Sequence, residues 1–228
     1  MYKTLIPKMS QLASRDELRT SLTYIVAVED EVFATNAHVL GRLPSTVFPT
    51  IEFAGDPFGW ENFAVEYHDF AKVEGKKWTS ITCDLEHARA MREISFTLNF
   101  TREPKRNGKT TVVEIKAHPV KDRQARLDAS DPSDWTRFPD YNAVIPHDGH
   151  NYSCHASFRE QYGVNAMLLA DLQKMLASVD GVEMFTGVRI LPGAHRSRGI
   201  MVAPADETTF HRWRDEKWVA LLMPVLIN

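Results

Sequence analysis

Nine histidines and two cysteines pose the first chemical question for this chain. The densest donor group is His147-Asp-Gly-His150, followed by Cys154 and His155, and it holds enough imidazole and thiol for a zinc ion. Its spacings match no common structural zinc module, and on an extended segment Cys154 and His155 project to opposite faces. A surface connection leading into ordinary strand residues is the simpler reading. No phosphate-cradling GxxxxGK, no GxGxxG after a strand, no GxSxG and no HExxH occurs in the sequence. The acids Asp215 and Glu216, and the run Glu29-Asp30-Glu31, fall where turns are predicted, so they read as solvated charges and not as general acids. These residues predict no catalytic centre, no cofactor and no metal, and a metal-dependent enzyme built on 147–155 ranks last among the readings.

The framework around these residues is that of an ordinary globular protein. The 228 residues are 43% hydrophobic and 25% charged, which excludes disorder as the main state and allows a core that needs no metal or disulfide support. A net charge of −3 argues against a generally basic nucleic-acid binder but leaves room for a local cationic face. Two cysteines, Cys83 and Cys154, are too few for a disulfide framework, so a reducing cytoplasm is expected. The stretch Met1–Pro7 lacks the apolar core of a signal peptide, and no run approaches the ~18 apolar residues a membrane span requires. Neither secretion nor membrane insertion is expected.

Hydrophobic patterning predicts an α+β fold. Pro7 suits the first turn of a short helix running to about Ser14. Residues 22–28 and 32–35 read as a hairpin around Glu29-Asp30-Glu31, and 46–62, rich in Pro, Gly and aromatics, as an irregular connection. A strand feeding a short helix is expected over 63–77, and a helix over 84–93 with Asp84 as its N-cap. Residues 94–100 alternate with period two and pair with 111–116 across Asn107-Gly108. The polar stretch 118–136 reads as a solvated loop. Asn165 caps the clearest helix, 166–178, with Leu168, Leu172, Met175 and Leu176 on one face. Strands are expected at about 182–190, 199–204 and 217–227. This order fits repeated βαβββ units whose helices pack on one face of antiparallel sheets.

Three further segments carry a likeness. They are Ala34-Thr-Asn-Ala-His-Val-Leu-Gly-Arg42, Arg137-Phe-Pro-Asp-Tyr-Asn-Ala-Val-Ile-Pro146 and Trp218-Val-Ala-Leu-Leu-Met-Pro-Val-Leu-Ile-Asn228. In order and separation they resemble segments of the bacterial DNA polymerase III β sliding clamp family. That family has an Ala-Thr-Asp-Gly-His-Arg-Leu strand, a Phe-Pro-Asp-Tyr-Arg-Arg-Val-Leu-Pro stretch and a Met-Pro-Met-Arg-Leu tail. The helix after Tyr162-Gly-Val-Asn165 is likewise similar to the second helix of the clamp's last domain. The chain departs from the family at Asn36, Ala37, Val39, Asn142 and Ala143, and in a tail without Arg.

The resemblance implies a DNA-clamp-like fold in which 1–146, with halves 1–45 and 46–146, corresponds to the clamp's middle domain and 147–228 to the second half of its last domain. It implies a non-enzymatic processivity factor for DNA replication that tethers a polymerase or another replication or repair protein to double-stranded DNA. An apolar peptide-binding groove would then comprise Thr35, His38, Leu40, Pro139, Val144, Leu221, Met223 and Pro224. The predicted helices would turn Lys8, Arg15, Lys72, Lys76, Lys77 and Lys174 toward DNA in sequence-independent, salt-sensitive contact. Homo-oligomerisation, with unusual subunit pairing needed if a ring is to close at all, and a phage or mobile-element origin suited to the small size, are further expectations. The alternative is a clamp-fold adaptor or competitor that binds replication proteins without encircling DNA.

Overall fold

The computed structural model describes residues 4–53, 56–60, 62–84, 95–104, 108–120, 145, 163–179, 181–182, 187–191 and 199–223. Strand β1 (Thr4–Leu5) leads through a 3-10 turn at Ser10–Leu12 and a second 3-10 segment at Glu17–Thr23 into β2 (Tyr24–Val28), β3 (Glu31–Thr35) and β4 (Val39–Pro44). After a 3-10 turn at Ser45–Val47 come β5 (Ile51–Phe53), β6 (Asp56–Phe58), β7 (Phe63–Glu66), α1 (Tyr67–Phe70), β8 (Lys77–Trp78), β9 (Ser80–Asp84), β10 (Phe96–Arg102) and β11 (Thr111–Pro119). The last group is α2 (Ala166–Leu176), β12 (Val188–Leu191), β13 (Ile200–Pro204), α3 (Glu207–Asp215) and β14 (Val219–Leu222).

Apart from the β1–β8 pair, the strands join one sheet in the order β12-β13-β14-β4-β3-β2-β7-β11-β10-β9-β5-β6. Its pairings are antiparallel except β5 with β9. The fold is α+β: the 3-10 segments precede β2–β4, α1 precedes β8–β11, and α2 precedes β12 and β13, with α3 standing before β14.

Packing shows which face the helices occupy. A Cβ placed on Gly41 would fall 2.3 Å from Leu12 Cδ1 and 2.5 Å from Met175 Sδ. The 3-10 turn at Ser10–Leu12 and α2 therefore press together on the same side of β4. By strand alternation Ala34 and Ala220, registered with Gly41, share that face, while Leu40 and Arg42 point away from it. On the helix side of the other half of the sheet, Trp60 stacks among Phe48, Phe63, Phe70 and Phe100, with ring centroids 4.8–6.5 Å apart, and its Nε1 donates to the Pro49 carbonyl at 2.6 Å.

Polar contacts lock the helical layer onto itself. The Glu74 carboxylate accepts from the backbone N–H of Met9 and Ser10 at 2.8 and 2.9 Å and from Ser10 Oγ at 2.6 Å. Lys8 N donates to Ser178 Oγ at 2.7 Å, and Gln11 Nε2 donates to the Asp171 carbonyl at 3.4 Å. The segment 8–12 thus ties the turn after α1 to α2.

Several expectations need correction. The first helix is only the 3-10 turn Ser10–Leu12, because Ala13 already takes an extended conformation. Segment 46–62 is not wholly irregular: it holds most of a 3-10 turn, the β5–β6 pair and the buried Trp60. Glu31 begins β3 instead of closing a turn, and it pairs with Arg42 at 2.9 Å. Asp84 ends β9, and the helix expected just after it lies outside the described residues, as does nearly all of 118–136. Helix α3 was not anticipated. Its N-cap Asp206 accepts from Thr209 N at 2.8 Å, and Trp213 is fully buried. Burial acts to raise the Asp206 pKa, but the hydrogen bonds from Thr209 outweigh it and hold the carboxyl below its usual range.

Candidate functional site

The start and finish of the described chain meet in one ladder. β14 lies against β4 with Leu221 opposite Leu40 and Leu222 opposite Val39, and Met223 N donates to the His38 carbonyl at 2.8 Å. Thr35 stands opposite Leu40 across β3. Five of the eight residues expected to form a groove, Thr35, His38, Leu40, Leu221 and Met223, therefore come together at one end of these strands. Pro139, Val144 and Pro224 lie outside the described residues.

Their exposure differs sharply. Leu40 is 3% and Leu221 1% exposed, and Thr35 is also buried, whereas His38 is exposed and Met223 half-buried. The two leucines belong to the core cluster, so His38 and Met223 are the accessible members. The same register adds two residues that motif reading missed: Met201 lies opposite Leu221 and Leu191 opposite Met201. A row Leu191, Met201, Leu221, Leu40, Thr35 thus crosses five strands on the face away from α2. Alternation within β13 would have been the signal for Met201, but β13 is buried throughout and reads as a continuous apolar run.

The turn between β3 and β4 is built by side chains. Thr35 Oγ1 donates to the Val39 carbonyl at 2.6 Å and accepts from Ala37 N at 3.2 Å, and Asn36 Oδ1 accepts from His38 N at 2.9 Å and Val39 N at 3.0 Å. Ala37 sits at φ 73°, a conformation that costs an L-residue about 1 kcal/mol or more. Gly avoids that strain at some cost in chain entropy. Ala37→Gly is therefore expected to stabilise the protein by about 0.5–1 kcal/mol, read as a Tm increase of a few degrees.

The six cations fall as follows. Lys72 and Lys76 follow α1 rather than lying in it, Lys77 is in β8, and Lys174 is on α2. The stem of Lys8 lies over Gly75, whose added Cβ would meet Lys8 Cε at 2.7 Å, and Lys8 N reaches Ser178 near the end of α2. Lys8, Lys72, Lys76 and Lys174 thus lie on or beside segments that adjoin one another: the Ser10–Leu12 turn, the turn after α1, and α2. Lys72 pairs with Asp69, Lys174 pairs with Asp171 at 2.8 Å, and Lys76 Nζ donates to the Lys72 carbonyl. Arg15 is exposed between the two 3-10 segments.

Among the described residues no group of three or more His, Cys, Asp or Glu side chains is placed to hold a metal ion, and His147, His150, Cys154 and His155 lie outside them. No described helix is long and apolar enough to cross a membrane.

No protein-family model and no curated protein matches the sequence. Among solved structures, the chain is similar to the DNA polymerase sliding clamp from Bacillus subtilis, with a TM-score of 0.45 and 13% identity. The match covers 100% of this chain and 65% of that one, so this chain spans just under two thirds of that structure's length.

Proposed function

We propose that this protein is a non-enzymatic, sliding-clamp-like tether that holds a polymerase or another replication or repair protein on double-stranded DNA. The observation that carries the reading is the in-register meeting of the 34–42 segment with the 219–223 segment, which are two of the three clamp-like motifs. On the opposite side of the same strands lies the helical layer with its lysines. One side would take an extended client peptide and the other would face phosphates, with 1–146 corresponding to a whole clamp domain and 147–228 to part of another. In a ring the subunits would be copies of this chain.

The accessible pair sets the mutational test. His38→Ala with Met223→Ala is expected to weaken binding of a fluorescein-labelled short peptide carrying Leu and Phe anchors by about tenfold. The Tm should stay near that of the wild type, because neither side chain is in the core. Equal peptide affinity in the folded double variant would count against the groove. Leu40 is unsuited to this test, since truncating a buried leucine costs about 2–5 kcal/mol of stability in its own right.

One observation favours the second reading, a non-encircling adaptor: Lys72 and Lys174 already have carboxylate partners. Sedimentation with circular and with linearised DNA separates the two. A ring stays on the closed circle and runs off free ends, whereas an adaptor does neither.

A further inference from the structure

Gly199, immediately before β13, belongs to none of the three motifs, yet it adjoins the proposed groove. β13 and β14 pair Ile200 with Leu222 and Met201 with Leu221, and one step further along the same ladder Gly199 stands beside Met223. By alternation, positions 199, 201, 221 and 223 project on the face away from α2. A Cβ placed on Gly199 would fall 2.5 Å from Leu221 Cδ1, 2.7 Å from its Cγ and 2.9 Å from its Cδ2. The end of the Leu221 side chain therefore lies over the bare backbone of Gly199, diagonally across from its own strand and toward the Met223 end. Gly199 and Leu221 are buried, whereas Met223 is half-buried and His38, whose carbonyl holds Met223 N, is exposed.

We propose that Gly199 determines which side chains the groove admits: by leaving room for Leu221 over β13, it keeps the space beside Met223 and His38 wide enough for a large apolar anchor of the client peptide. The chemistry of that anchor follows from the lining. Leu40, Met201, Leu221 and Met223 bring no charge, so a branched aliphatic or aromatic side chain is the one that fits. Any side chain at 199 would collide with three carbons of Leu221 at once. Because Cγ is among them, turning the terminal methyls alone gives no relief, and the close-packed surroundings leave Leu221 to move toward the mouth of the groove. The space lost there is the space a large anchor needs. This inference rests on the proposed peptide groove, and the experiment separates the two.

Three fluorescein-labelled peptides, alike except for Phe, Leu or Ala at one anchor position, are titrated with the full chain and followed by anisotropy. The wild type is expected to bind the Phe and Leu peptides at least about tenfold more tightly than the Ala peptide. Gly199→Ala should weaken the Phe peptide by about tenfold and the Leu peptide by less, with the Ala peptide unchanged, so that the preference contracts. A mere loss of folded protein would lower all three alike and leave the ratio as it was. Leu221→Val, added to Gly199→Ala, shortens the displaced side chain and should restore the preference for Phe. A Phe-to-Ala ratio unchanged in Gly199→Ala overturns the inference and leaves the groove standing. Should Gly199→Ala not fold, Leu221→Val alone decides: a ratio shifted further toward Phe supports the inference and an unchanged one overturns it. Absence of binding of all three peptides to the wild type overturns both.

Discussion

Gly41→Val is expected to destabilise the protein by about 3 kcal/mol, an overpacking effect at the upper end of its usual range. The first added carbon would already fall inside contact distance of two buried side chains, Leu12 at 2.3 Å and Met175 at 2.5 Å, and valine adds two methyls beyond it. Leu12 and Met175 cannot both retreat, because the segments that carry them are tied together by Lys8 N to Ser178 Oγ and Gln11 to Asp171. For a chain of this length the loss corresponds to a Tm about 6–12 °C lower. Hydrogen exchange should quicken first in 8–12 and α2, while β10 and β11 keep their protection. A variant with wild-type Tm would mean that the helical layer does not sit where Gly41 places it.

The second large effect concerns DNA. Replacing Lys8, Lys76 and Lys174 together by Glu is expected to lower affinity for a duplex by about a hundredfold or more at 50 mM salt and to reduce the salt slope by about three. The three residues come from separate parts of the chain, and the packing of Lys8 on Gly75, next to Lys76, and its backbone link to Ser178, one turn beyond Lys174, bring their segments together. All three side chains are exposed or extend over the surface, so the fold should tolerate the change. A threefold or smaller loss with the slope intact would remove this surface from any role in contacting phosphate.

Particular elements show how far the amino-acid pattern reaches. Helix α2 was legible because its apolar residues recur at helical spacing behind an Asn cap, and Asn165 Oδ1 does accept from Met167 N and Leu168 N. Strand β10 was legible because one of its faces is open, so burial alternates residue by residue. Helix α3 was missed because Glu207, Arg212, Arg214 and Asp215 outweigh its few apolar positions. Its anchors, Trp213 and the Phe210 ring beneath Arg189 at 4.3 Å, depend on neighbours distant in sequence. For the proposed groove, the outcome concerns only where its segments lie. The motifs identified segments that do meet at β4 and β14, but motif likeness does not distinguish an accessible side chain from a buried one. Leu40 and Leu221 therefore ranked beside His38 and Met223, although they belong to the core.

The β4–β14 ladder also has a consequence for biosynthesis. β4 can pair with β3 soon after both leave the ribosome, yet the strand that closes its other flank is made only after most of the chain has been translated. Until then the nascent polypeptide carries an open apolar border with unused amide and carbonyl groups, the kind of border that recruits stray strands. Such long-range closure makes for slow folding and prolonged exposure to aggregation. Chaperone dependence during synthesis should accordingly be greatest before β14 emerges and fall once it docks.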